Sequence, residues 1–228
     1  MKKILVIDIG GTHVKLMIKP GKQRRFDSDP RMTPKQMVVQ IKSNVRDWKF
    51  DTISIGFPAP IRDGRIMRNP KHLGKGWLGF QFGNSLGKPA RVINDASMQA
   101  LGSYRGGRML FLGLGTGLGS ALVLNKTLLP LELGDLPYRR RDIIENYLGI
   151  PGIERLGLKQ WKREVIFAVT QLKKSFIADY VVLGGGNARQ FKTLPGGIEH
   201  GDNLNVFLGG KRLWESDPRT RRKKWRII

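Results

Sequence analysis

The hydrophobic pattern opens on a buried strand. Lys2 and Lys3 give way to Ile4-Leu-Val-Ile7, then Asp8 and Ile9, a short, nearly continuous apolar run rich in β-branched residues. Gly10 and Gly11 turn the chain. Val14, Leu16 and Ile18 then alternate with Lys15, Met17 and Lys19, which predicts a second strand. The same device recurs further on. Arg108–Leu112 reads as a strand, Gly113-Leu-Gly-Thr-Gly-Leu-Gly119 as a glycine turn, and Ser120–Leu124 as the returning strand. A strand–glycine turn–strand unit therefore occurs twice.

Other elements fall between and after these units. Gly21–Arg31 is polar and reads as a loop. Thr33 caps a predicted helix with Pro34 in its first turn, and Met37, Val38, Ile41 and Val45 lie at helical spacing. Thr52–Gly56 is a short strand that must turn at Phe57-Pro-Ala-Pro60. Arg62–Gly87 is rich in Gly, Pro and Asn and predicts a long irregular segment, which in a compact protein is more often functional than filler. Pro89–Asn94 predicts a strand, and Asp95 opens a helix through Ala100, Leu101 and Tyr104. Trp161, Val165, Val169, Leu172 and Phe176 share one face of a core-packed helix. Tyr180–Leu183 is a strand followed by Gly184-Gly-Gly186. From Lys211 the chain ends in a basic tail, Arg221-Arg-Lys-Lys224, read as solvated surface with a polyanion contact as the alternative. These elements predict an α/β protein, with an N-terminal lobe over 1–94 and a C-terminal lobe over 95–228.

Composition narrows the chemistry. The 228 residues contain no cysteine, which excludes a disulfide scaffold, a thiol nucleophile and any cysteine-ligated metal. Lys and Arg total 41 against 18 Asp and Glu, a formal charge of +23. Such a field attracts polyanions such as nucleotides, polyphosphate, nucleic acid or acidic lipid, although a broadly basic set of proteins would show it too. The apolar run Ile4–Ile7 is cut by Asp8 and is too short for a signal peptide or a membrane span, so no membrane partner and a cytoplasmic location are expected.

The glycine run 113–119 resembles a dinucleotide fingerprint in its letters, but a strand pattern follows it where that fingerprint requires a helix. A Walker A loop is also missing, since Gly74-Lys75 is followed by Gly76. What remains is a pair of glycine hairpins. Backbone without Cβ approaches an anion closely, and successive amides form a concave nest for it. Either hairpin alone also fits a plain turn; two of them, each with a threonine, could grip one phosphate chain from both sides. Asp95 likewise has two readings. It could be a helix cap, or a carboxylate at a strand end able to take a proton from an attacking hydroxyl.

In this order the pieces resemble the ROK family of sugar kinases. Asp8-Ile-Gly-Gly-Thr12 is similar to the family's first phosphate motif, Gly56-Phe-Pro-Ala-Pro60 to its Gly-x-Pro-Gly segment, and Asn94-Asp95 to its sugar-binding and catalytic pair. Gly115-Thr-Gly117 is similar to the second phosphate motif, Glu132-Leu-Gly134 to the sugar motif Glu-x-Gly-His, and Leu183–Gly186 to the nucleoside-side glycine motif. The resemblance implies a two-lobed actin-like/hexokinase fold and a sugar kinase acting on a hexose, glucose at O6. It implies Asp95 as general base, and Asn94, Glu132, Gly56, Asp135 and His72 on the acceptor side. Gly10, Gly11, Thr12, Lys15, Gly115, Thr116 and Gly117 would hold phosphates, and Gly184, Gly185, Gly186 and Asn187 would lie beside a nucleoside. Asp8 would hold Mg²⁺, the donor would be ATP or inorganic polyphosphate, and the assembly a homodimer.

Three departures stand out. The family's cysteine-rich zinc motif cannot exist here, so the zinc-free branch resembling polyphosphate glucokinases is the nearer likeness. Asp135 stands where the sugar motif ends in His. In Asn69-Pro-Lys-His-Leu-Gly-Lys-Gly-Trp77, similar to the family's sugar loop, His72 stands where an Asn is expected. The phosphate motif begins at Asp8, which leaves no length for the helix-turn-helix of the family's repressors, so nucleic acid is not an expected partner. A non-catalytic sugar- or polyanion-binding protein on the same fold is the alternative, motivated by Asp135 and the basic tail.

Overall fold

The computed structural model describes residues 2–202 and 204–228. Strands β1 (Ile4–Ile9), β2 (His13–Lys19) and β3 (Lys22–Asp27) precede helix α1 (Pro34–Val45) and β4 (Thr52–Phe57). A small hairpin, β5 (Ile61–Arg62) and β6 (Arg65–Ile66), and a short helix α2 (Phe82–Leu86) lead to β7 (Ala90–Asn94) and α3 (Asp95–Ser103). Then come β8 (Arg108–Leu114), β9 (Leu118–Leu124), β10 (Thr127–Leu131), α4 (Glu145–Leu148) and α5 (Ile150–Ser175). Strands β11 (Tyr180–Gly184) and β12 (Ile198–His200), helix α6 (Asn205–Arg212) and β13 (Arg226–Ile227) complete the chain.

Two sheets share one topology. The first has the order β3-β2-β1-β4-β7 and the second β12-β11-β8-β9-β10-β13. In each, an antiparallel glycine hairpin (β1–β2, β8–β9) is extended on one side by a third antiparallel strand. On the other side it is extended by two parallel strands. This duplicated α/β architecture is the actin-like/hexokinase fold expected from the motifs.

Side-chain alternation sorts three cores. On β1, Leu5, Ile7 and Ile9 face α1 and the segment carrying Trp77 and Phe82, while Val6 faces the other way. Helix α5 covers the outer face of the second sheet with Trp161, Val165 and Val169. Between the sheets lies the core of Val6, Ile93, Met98, Leu101, Phe111, Val182 and Phe207, contributed by both sheets and by α3 and α6. These two helices cross at Gly102 and Gly209, where a Cβ on either would drive into the other helix's backbone.

The fold departs from the sequence pattern in places. Lys22–Asp27 was expected as loop but pairs with β2 through its backbone, with register His13–Asp27 to Met17–Gln23. It is an edge strand, exposed on most of its length, so apolar alternation is not required of it. The stretch 62–87 is largely irregular, as expected, but it buries Leu73, Trp77 and Phe82 in the first core. In the basic tail Arg221, Arg222 and Lys223 are exposed, as expected of a solvated surface, but the segment around them is anchored. Trp225 is buried, its indole nitrogen donates to Glu215 (3.0 Å), Lys224 pairs with Glu215 (3.1 Å), and β13 adds to the sheet beside β10. None of the helices among the described residues is long and apolar enough to cross a membrane.

Candidate functional site

The ends of three parallel strands build the corner that holds Asp8, Asn94 and Asp95. Asp8 on β1 pairs in register with Gly56 on β4, and Phe57 beside it pairs with Asn94 on β7. A Cβ built on Gly56 would meet Met98 Cε at 2.6 Å, Asp95 Cα at 3.2 Å and Asp8 Oδ1 at 3.5 Å. Glycine there lets the carboxylate of Asp8 and the start of α3 approach each other. Asn94, not Asp95, is the cap of α3: its Oδ1 accepts from the backbone N–H of Ser97 at 3.1 Å, and its Nδ2 donates to Ala59 O at 3.4 Å. Asp95 is thus the first helical residue, with its carboxyl free of the capping role.

Electrostatics distinguish the two aspartates. Asp8 is buried, and desolvation raises its pKa against the opposing pull of Lys15, whose Nζ lies 3.7 Å from Oδ2. Asp95 is only partly exposed. Burial pushes its pKa up to about 7, the negative charge of Asp8 adds to the rise, and hydrogen bonds from the backbone at Ala96 and at its own N–H oppose it. Its Glu132 neighbour adds a further small push upward.

Both glycine motifs are strand-to-strand hairpins, which removes the dinucleotide reading. Gly10 N donates to His13 O (3.0 Å) in the first, and Gly115 N to Gly117 O (3.1 Å) in the second. Thr12 and Thr116 are exposed at the two tips. Ser28 braces the first hairpin: its N–H donates to Thr12 O (2.9 Å) and its hydroxyl to Gly10 O (2.9 Å). Asn187 braces the second, donating from Nδ2 to Gly115 O at 3.0 Å. Gly185, at φ +80°, lies against the backbone of Leu114, so Gly184–Gly186 is packed directly behind that hairpin. A pocket of about 220 Å³ opens beside Gly184 and Gly185, lined also by Gln99, Arg189 and His200.

The residues expected on the acceptor side include two carboxylates, Glu132 and Asp135, that share the cation Arg68. Ser120 accepts the N–H of Leu133 (3.0 Å) and donates to Leu131 O (2.9 Å), which fixes the Glu132 segment to β9. Glu132 is half-exposed. Burial raises its pKa, Arg68 opposes the rise, and Asp135 reinforces it. Asp135 is paired with Arg68 and Lys71. His72 lies against the first phosphate hairpin, with its Cβ 3.0 Å from the position a Cβ on Gly11 would take. Asn69 accepts the backbone N–H of Trp77 (3.0 Å), anchoring the loop on a fully buried indole.

Sequence reasoning missed Glu145. Its Oε2 accepts the N–H of Leu118 at 3.2 Å and occupies the space a side chain on Gly117 would need, while Oε1 pairs with Lys71 at 2.8 Å. The signal was a lone carboxylate at a helix start, which reads ordinarily as a partner for the helix dipole.

Comparison with known proteins identifies the family. The ROK family model matches residues 4–130, more than half of the chain. The chain belongs to the ROK family. Among curated ROK relatives, the polyphosphate glucokinase of Mycobacterium tuberculosis is 23% identical over 206 residues, covering 81% of this chain and 77% of that protein. The inorganic polyphosphate/ATP-glucomannokinase of Arthrobacter sp. strain KM superposes with a TM-score of 0.80 at 23% identity, covering 92% of this chain and 97% of that one. A ROK glucokinase from Streptomyces griseus, solved with glucose and AMPPNP, gives a TM-score of 0.71 at 14% identity, over 91% of this chain and 97% of the other.

Proposed function

We propose that this ROK protein transfers a phosphoryl group from ATP or inorganic polyphosphate to a hexose, at O6 of glucose. The observation that carries the reading is Asp95: uncapped, partly open, beside Asp8, with a pKa of about 7. A general base works best with its pKa near the operating pH. Asp95 takes the proton of the acceptor hydroxyl as that oxygen attacks the terminal phosphorus. The bond from that phosphorus to its bridging oxygen breaks, leaving ADP or a polyphosphate shorter by one unit. Asn94 and Glu132 orient the sugar, while Gly56, buried in β4, acts indirectly by letting Asp8 and the start of α3 come together. The amides of Gly11 and Gly117, with Thr12 and Thr116, cradle the phosphates, while those of Gly10 and Gly115 close the two hairpins, so catalysis is mostly positioning and electrostatic stabilisation.

Mg²⁺ fits the residues present. Asp8 and Asp95 bring two carboxylates together at one corner, with Lys15 beside Asp8 on its outer side. Asp8 would hold the ion through water, together with the donor's own oxygens. When bound it supplies charge neutralisation along the phosphates. The two lobes, 1–94 and 95–228, would close around α3 and α6 and exclude water from the reacting group. Asp135 is engaged in ion pairs and the tail is folded, so neither feature calls for a non-catalytic protein.

The donor reading rests on charge and on the relatives. A cationic surface suits a long polyanion, and its binding then weakens steeply with salt, by analogy with counterion release. A nucleotide held at its phosphates and beside Gly184–Gly186 shows a flatter dependence. Glucose phosphorylation with ATP and with long-chain polyphosphate, each at low and high salt, tests both donors. Turnover with neither, on glucose or mannose, would sink the proposal.

A further inference from the structure

The long loop of the first sheet reaches across to the second through a network of ions. Leu73 and Trp77 anchor this loop in the first core. Just before them, Lys71 Nζ lies 2.8 Å from Glu145 Oε1 and 3.3 Å from Asp135 Oδ1. Arg68 lies 3.4 Å from the other oxygen of Asp135 and 3.9 Å from Glu132 Oε2. Each oxygen of Asp135 therefore faces its own cation. Glu145 in turn holds Leu118 N, next to Gly117 of one phosphate hairpin, while His72 packs on Gly11 of the other. Residues 68–72 thus meet the Glu132 corner and the first hairpin directly, and reach the second hairpin through Glu145.

We propose that Asp135 is a positioning residue: by fixing Arg68 and Lys71, it holds the 67–76 loop across the cleft and sets acceptor affinity without bonding the acceptor itself. The proposal rests on the kinase reading of this site. Asp135, Lys71 and Arg68 are each about half exposed, with side-chain accessibilities of 44%, 52% and 52%. Single pairs at such exposure are weak, and the loop's position comes from the network. An exposed network is screened by salt. The affinity of an uncharged sugar, which has no charge of its own to screen, then becomes salt-dependent through the loop.

The test compares wild type with Asp135→Asn, Asp135→Glu, Lys71→Met and the Asp135→Asn/Lys71→Met double variant. The readouts are sugar KM and kcat between about 50 mM and about 500 mM salt. Asp135→Asn should raise sugar KM about fivefold while kcat stays within about twofold, and Asp135→Glu should restore it. Wild-type KM should climb with salt, and that of Asp135→Asn should climb clearly less, since only the Lys71–Glu145 and Arg68–Glu132 pairs remain to be screened. The double variant should be little worse than the poorer single one. Additive effects, a salt-independent wild-type KM, or loss of kcat with KM unchanged would overturn the proposal. If the wild type phosphorylates no sugar, the kinase reading has failed, and amide exchange over residues 67–76 decides this one separately. Faster exchange in Asp135→Asn, restored in Asp135→Glu, supports the positioning role; identical exchange in all variants refutes it.

Discussion

Asp8 and Asp95 meet at the end of β4, with Gly56 between them, and the charge of Asp8 helps hold the Asp95 carboxyl near neutrality. The corner is poor ground for folding and good ground for chemistry. A carboxyl whose pKa rises from 3.8 to about 7 on folding makes the native state bind a proton more tightly than the unfolded chain does. Ionising it therefore costs stability, increasingly as pH climbs between those two values and constantly above the upper one.

Asp95→Asn should accordingly stabilise the protein while it abolishes turnover. Because Asp95 keeps some solvent contact, the gain above pH 7 is about 1–2 kcal/mol, less than the full shift would give. It should fade as pH falls toward the unfolded value. Thermal melts of both proteins at acid and mildly alkaline pH check this. Equal melting temperatures at every pH would mean that Asp95 is not perturbed.

Two glycines should respond oppositely to the same substitution. Gly117→Ala meets only the carboxylate of Glu145, which can move, so the melting temperature should change little. Glu145 would then leave Leu118 N and Lys71, and kcat/KM for the donor should fall as the hairpin loses this brace. Gly102→Ala meets the backbone of α6 and should cost about 3 kcal/mol of stability. Melting curves and steady-state kinetics on the pair separate the two roles.

The C-terminal segment should behave as structure. Trp225 is buried against Tyr104, with ring centroids 5.8 Å apart, and bonds Glu215. Trp225→Ala should cost about 3 kcal/mol or more. At roughly 2–4 °C per kcal/mol for a chain of this size, the melting temperature falls by about 10 °C. A loosely solvated tail would give no shift.

The legible parts of this fold are those written in local pattern. The glycine hairpins, the Thr33–Pro34 helix start and the Trp161–Leu172 stripe each declare themselves within a few residues, and each forms as read; the reciprocal bond from Gln36 shows only in the structure. Lys22–Asp27 escaped because an edge strand needs backbone partners more than apolar side chains. Trp225 and β13 escaped because their charged neighbours dominate the local composition. Among site residues, Asp8, Asn94, Asp95 and the hairpin glycines lie at strand ends, where a short motif marks them. Glu145 and Arg68 carry no motif, and Lys71 lies within the Asn69–Trp77 segment but is not one of the positions that mark it. They meet only when α4 and the 62–87 loop fold over opposite sheets, a relation with no local trace in the sequence.

The most direct test of the account is phosphoryl transfer to glucose, with Mg²⁺ and each donor, by wild type and Asp95→Ala, alongside glucose binding by calorimetry. The account predicts wild-type turnover with ATP, polyphosphate or both. It also predicts loss of at least about a hundredfold in kcat for the variant, with glucose affinity nearly kept. Turnover that survives the substitution, or a wild type that binds glucose and phosphorylates it with neither donor, would contradict it.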